Sequence, residues 1–177
     1  MILEAAVAAL IASPPVAAPA IRLEVPVIRQ APEHCGPAAL EMVLRYYGAP
    51  AAALAEAERT YEPALRGALI TDLAAAARRA GYPAAVAAPG PDSLPALLAR
   101  GVPPILLVSA GIGPIARGHY IVVTGWDAAR RRYEVNDGGR AARGLDAGDL
   151  ARRWRAAGGR ALLVRRADPA GAARPAR

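Results

Sequence analysis

The hydrophobic period changes part-way along the chain, and that change restricts the fold more than any single residue does. Gly36 to Tyr47 places Leu40, Val43, Leu44 and Tyr47 on one helical face and is stopped by Gly48-Ala49-Pro50. Ala51 to Arg59 and Ile70 to Ala80 read as two more helices, the latter with Thr71 as its cap, Arg78 and Arg79 in its last turn and Gly81 beyond it. Asp92 or Ser93 is placed to cap a short helix reaching Arg100. After that the pattern becomes strand-like. Pro104 to Ser109 reads as a buried strand, and Tyr120 to Trp126, a turn at Asp127 to Arg130, and Arg132 to Asn136 read as an antiparallel hairpin. Asp146 to Ala156 is predicted to be a helix capped by Asp146, and Arg160 to Arg165 a last strand. Helices first and strands later predict an α+β domain, a helical half packed on an antiparallel sheet with a cleft between them.

At 177 residues one domain is expected, spanning 21–166, with 1–20 as a leader or linker and 167–177 as a disordered tail. The apolar run Ile2 to Ala12, followed by Ser13-Pro14-Pro15 and Ala18-Pro19-Ala20, has the outline of a signal peptide. Glu4, however, stands where a basic residue belongs, so exported and cytoplasmic locations both stay open. No stretch of about 18 apolar residues is present to span a bilayer.

Composition removes several chemistries. Lys is absent, which excludes a P-loop of the Gly-Lys-Ser/Thr kind and a Schiff-base lysine. One Cys and two His cannot assemble a zinc site of Cys and His ligands. The net charge of +7 arises in the last third: residues 128–177 hold thirteen Arg against five acids, and residues 1–127 nine against ten. No aromatic interleaving or nucleic-acid motif accompanies these arginines, so they read as a solvated face and nucleic acid is not an expected partner. A binder of anionic surfaces is the competing reading, and it would show a steep salt dependence.

The reactive inventory that remains is short. Cys35 falls at the start of the first helix, directly after the polar segment Arg29 to His34. Unpaired N–H groups and the positive end of the helix dipole at such a position favour a thiolate and an oxyanion. Gly36 permits close approach of a substrate, and Pro37 suits a first turn where a missing N–H costs nothing. A thiol nucleophile needs an imidazole, and the imidazole needs a third group to fix its tautomer. His34 is adjacent to Cys35 and reads as a cleft-edge or surface residue; His119 follows Gly118 at the start of a strand, where its ring either faces a cleft as a base or serves as a hydrogen-bonded structural histidine. If the hairpin forms, His119 opens one strand at the end where Asp137 closes the other. Either Asn136 or Asp137 fits the third role; alternation along Tyr133, Val135 and Asp137 favours Asp137. Gln30, five residues before Cys35, is a candidate second donor to an oxyanion.

In order and spacing these residues resemble the papain-like peptidase family that removes double-glycine leaders in bacteriocin exporters, together with its free-standing bacterial relatives. Gln30 and Cys35-Gly36-Pro37-Ala38-Ala39-Leu40, with Met42 and Tyr46-Tyr47-Gly48, resemble the family's glutamine and nucleophile helix. Gly118-His119-Tyr120-Ile121-Val122-Val123 through Gly125 resembles its histidine strand, and Tyr133-Glu134-Val135-Asn136-Asp137 the segment bearing its aspartate. Gly138 stands where the family usually has Pro. The resemblance covers about Val25 to Gly138 and implies a papain-like fold and a cysteine peptidase acting on a peptide or protein, with no cofactor. It also implies roles: Cys35 as nucleophile, His119 as base, Asp137 as orienter and Gln30 in the oxyanion hole. The exporters' membrane and ATPase domains have no counterpart in these residues, so a membrane-associated partner is left open. A catalytically silent relative that binds peptides in the same cleft is the alternative.

Overall fold

A computed structural model describes residues 20–111, 117–139 and 142–166. The proposed leader falls almost wholly outside that range, as does the proposed tail. Helix α1, Cys35–Tyr46, is the centre of the packing: Gly36 to Leu40 and Met42 to Leu44 are all buried, so it is enclosed on nearly every side and not half-solvated. Helices α2 (Ala51–Glu58) and α3 (Ile70–Arg79) pack around it, and α4 (Leu94–Ala99) and α5 (Ala147–Ala156) follow later in the chain.

The strands are β1 (Ile21–Arg22), β2 (Ala84–Ala87), β3 (Ile105–Ala110), β4 (Arg117–Asp127), β5 (Arg132–Asn136), β6 (Arg143–Asp146) and β7 (Ala161–Val164). They form one antiparallel sheet in the order β2-β7-β3-β4-β5-β6, with β1 pairing the far end of β4 at Gly125 and Trp126. Alternation divides the sheet between two cores. Ile105, Tyr120, Val122, Leu162 and Val164 face α1 and α3 with Leu40, Val43, Leu44 and Leu73. Leu106, Val108, Ile121, Val123 and Val135 face Leu94, Leu98, Leu150 and Trp154 of α4 and α5. The expected α+β architecture is therefore present, with helices on both faces of the sheet.

Three expected details change. Thr71 is not a cap: Leu69 holds the N-cap position in extended conformation, and Thr71 already lies inside α3. Asp92 and Ser93 make no side-chain cap either, because a 3₁₀ turn over Pro91–Ser93 runs directly into α4 and the Ser93 hydroxyl donates back to Gly90 O at 2.6 Å. His119 does not open its strand, which begins two residues earlier at Arg117. Asp146 does cap α5 as expected, accepting from the Gly148 and Asp149 N–H groups at 2.8 and 3.2 Å.

Asn136 is 1% exposed, and its Nδ2 donates to Val25 O at 3.1 Å, which ties the entry segment to the end of β5. Asn136→Ala leaves that buried carbonyl unpaired and should lower stability by about 1–3 kcal/mol, read as a shift of the urea midpoint at constant m-value.

Candidate active site

Cys35 is the first residue of α1, and His34 at the N-cap supplies no side-chain hydrogen bond, so no cap competes for the first-turn N–H groups. Pro37 carries no N–H, and the Cys35 and Gly36 amides are the donors the helix presents there. The sulfur is partly exposed and belongs to a groove of about 710 Å³ walled by Leu65 to Thr71 on one side and by Leu107, Arg117, Gly118 and Tyr120 on the other. Leu65 and Leu69, 54% and 51% exposed, give that groove an apolar wall.

The helix start sits directly on the histidine strand. A Cβ built on Gly36 would lie 3.0 Å from Ala68 Cβ and 3.3 Å from the Tyr120 ring, so a larger residue after the cysteine would crowd both. Tyr120 donates its hydroxyl to Ala68 O at 3.0 Å, fastening β4 to the groove wall, and burial raises its phenol pKa. Cys35 and His119 are thus each one residue from a direct contact. Among the described residues Cys35 Sγ makes no hydrogen bond to His119 or Gln30.

His119 is half-buried, and its Nε2 lies 3.1 Å from the main-chain oxygen of Asp137. Pairing of Val122 with Asn136 and Val123 with Val135, continued one step, sets Asp137 opposite Ile121 and diagonal to His119 on the same face. Asn136 falls on the other face and is occupied by Val25 O, and what meets the imidazole is the main-chain oxygen of Asp137. The Asp137 carboxylate itself turns elsewhere: Oδ1 accepts the Gly139 N–H at 3.2 Å and Oδ2 meets Arg143 Nε at 3.2 Å.

Burial holds the His119 pKa below its ordinary value of 6.5, outweighing the Asp137 carbonyl and charge, which act in the opposite sense; Arg153 and Arg143 add to the lowering. A value below 6.5 favours the neutral ring near pH 7. The folded value lies under the unfolded one, so this group's share of stability is intact above 6.5 and is lost as pH falls through the folded value. A site-specific NMR titration of His119 should give a midpoint under 6.5.

Gln30 meets the same turn from the other side. Its N–H donates to Gly138 O at 3.3 Å, and a Cβ on Gly138 would stand 2.0 Å from Gln30 Oε1. Oε1 is buried without a partner, and Gly138 has φ +78°, a conformation closed to proline. The turn Asp137-Gly138 therefore gathers His119 and Gln30.

His34, expected at a cleft edge or on the surface, is partly exposed at 24% of its side chain. Its ring stacks on Tyr61 at 4.0 Å and its two nitrogens meet Pro32 O at 2.8 Å and Glu58 at 3.3 Å, so it clamps the loop before Cys35. Glu33, held at φ 67°, completes the clamp: it accepts from Arg66 at 2.5 Å and from the Tyr61 hydroxyl at 3.2 Å, and Arg66 lowers its carboxyl pKa. Glu33, Arg66 and Arg143 carried no sequence signal, since their partners are distant in the chain or lie across an adjacent strand.

A family model described as the Peptidase C39-like family matches residues 22–162. The chain belongs to that family. Among curated proteins no sequence matches. Solved structures give the C39-like chain three informative neighbours. A double glycine motif protease from an AMS/PCAT transporter, solved in complex with its leader peptide, is 23% identical with a TM-score of 0.63, over 81% of this chain and 92% of that one. The peptidase domain of Streptococcus ComA, a bi-functional ABC transporter, is 19% identical with a TM-score of 0.64, over 80% and 98%. A C39-like peptidase from Bacillus anthracis is 15% identical with a TM-score of 0.69, over 85% and 100%. At these identities the likeness establishes the papain-like C39 fold. Among the described residues of this C39-like domain no helix is long and apolar enough to cross a membrane.

Proposed function

We propose that this C39-like chain is a cysteine peptidase that cleaves peptide bonds through a thioester on Cys35. The observation that carries the reading is the placement of Cys35 at the uncapped start of a buried helix, open to an apolar-walled groove and one residue from contact with the histidine strand. In the first step the thiol proton passes to His119 as sulfur bonds to the substrate carbonyl carbon. The oxyanion is received by the Cys35 N–H and the Gln30 amide. His119 returns that proton to the leaving amine as the C–N bond breaks. Water then attacks the thioester, giving its proton to His119, and a carboxylic acid leaves as the thiol is restored. Asp137 orients the imidazole. The exposed Leu65 and Leu69 suit an extended peptide with apolar side chains, and the transporter protease solved with a leader peptide supports a peptide substrate.

Mass-spectrometric profiling of a peptide library with the wild-type protein and Cys35→Ala tests this reading. Cleavage products present only with wild type are expected; identical product lists would overturn it. Two observations favour a second reading, a peptide-binding module without turnover: the sulfur lacks a hydrogen bond to the imidazole, and the Asp137 carboxylate is paired with Arg143. Saturable peptide binding with no cleavage would identify that case.

A further inference from the structure

We propose that a surface cavity of about 410 Å³ where α4 and β7 end is a binding site for a phosphoryl group, held by Arg100, Arg165 and Arg166. Arg100 directly follows α4, and Arg165 and Arg166 directly follow β7, so the fold brings together three guanidiniums that are far apart in sequence. No carboxylate lines the cavity, and among the described residues none of the three arginines pairs with an acid. Arg45, Arg59, Arg79, Arg130 and Arg152 differ in that each holds a carboxylate. The proposal stands apart from the peptidase reading, because the cavity lies at the other end of α1 from Cys35, about 18 Å away at 1.5 Å per residue.

One hydroxyl fixes the geometry. Tyr47, at the end of α1, shares its hydroxyl hydrogen between Gly101 O at 3.2 Å and Val164 O at 3.0 Å, the residues next to Arg100 and Arg165. The Arg165 N–H adds a bond to Pro83 O at 2.9 Å. Both segments that carry the arginines are thus seated before a ligand arrives, which removes part of the ordering cost of binding. Burial pushes the Tyr47 phenol pKa up to about 12, so this donor persists through the neutral range. Helices α1 and α4 both end at the cavity, and their C-terminal dipoles together offset about one positive charge, which leaves about two uncompensated. That excess matches a phosphoryl dianion better than a single carboxylate, and the planar fork of a guanidinium suits a pair of phosphoryl oxygens.

The experiment titrates the full chain with inorganic phosphate, at a pH where phosphate is the dianion and at ionic strength held constant with sodium chloride, and follows the backbone amide shifts of Gly101, Val102 and Arg166. Saturable shifts at these amides are expected. Arg100→Gln and Arg166→Gln should each weaken phosphate binding about ten-fold, the loss that a charged hydrogen bond implies. Arg155→Gln removes the same charge from an exposed position outside the cavity and should leave the affinity unchanged. Tyr47→Phe keeps all three arginines but unties their segments, and should also weaken binding. Vesicles of phosphatidylcholine with and without phosphatidic acid separate the two sources of such a group. Cosedimentation that requires phosphatidic acid and is lost in Arg166→Gln assigns a lipid headgroup, whereas phosphate saturation without vesicle binding assigns a soluble phosphate. No saturable shift at those amides in millimolar phosphate would overturn the proposal. So would an equal loss in Arg155→Gln and Arg100→Gln, which would show only a diffuse basic surface.

Discussion

Cys35→Ala is expected to reduce peptide cleavage to background, a loss on the order of 10⁶-fold if the sulfur is the nucleophile, while changing stability by no more than about 1 kcal/mol. The two halves of that expectation come from one geometry. Sulfur stands at the mouth of the groove, partly exposed, and the packing that seats α1 is made by Leu40, Val43 and Leu44 further along the helix. Alanine keeps Cβ and the first-turn N–H groups and removes the one atom able to attack a carbonyl. Labelling by iodoacetamide should disappear with it, because no other cysteine exists in the chain. A variant that cleaves as fast as wild type would remove Cys35 from the chemistry.

Gly138→Ala should be nearly as damaging to kcat as Gln30→Ala, about 10²–10³-fold, although the substituted residue touches no substrate. Two effects combine at this position. An alanine at φ +78° costs about 1–2 kcal/mol, and its Cβ would occupy the place of the Gln30 amide, 2.0 Å from Oε1. The glutamine must leave its seat, and on the proposed mechanism its contribution to the oxyanion goes with it. Gly138→Ala made in a Gln30→Ala background should then cost less stability and almost no further kcat, since the obstructed side chain is already gone. Additive losses in that cycle would show that Gly138 and Gln30 act separately.

The parts of this site that were readable from the sequence are those governed by local pattern. The spacing of Leu40, Val43 and Leu44 fixed the helix that Cys35 begins, and the β-branched run after His119 fixed its strand. β5 keeps its alternation as far as Asn136, whose side chain turns inward to Val25 O. Strands β2 and β6 went unread for physical reasons. Ala84 to Ala87 is nearly all alanine and carries no strand preference of its own, and Arg143 to Asp146 holds one apolar residue, Leu145, with its pairing supplied by β5. The groove wall over Leu65 to Thr71 was equally silent, since what places it is the link from Tyr120 to Ala68 O, 52 residues apart in the chain. Which atom of Asp137 meets the imidazole is a matter of main-chain position, and no residue letter encodes it.

Acid-quenching a single turnover of an excess of protein with a cleaved library peptide, followed by intact-mass and fragment analysis, tests the account most directly. The account requires an acyl group on the fragment containing Cys35, of the mass of the substrate's N-terminal portion, released by hydroxylamine and absent from His119→Ala. Peptide hydrolysed at wild-type speed with no adduct on Cys35 at any time, or an adduct formed equally fast without His119, would contradict it.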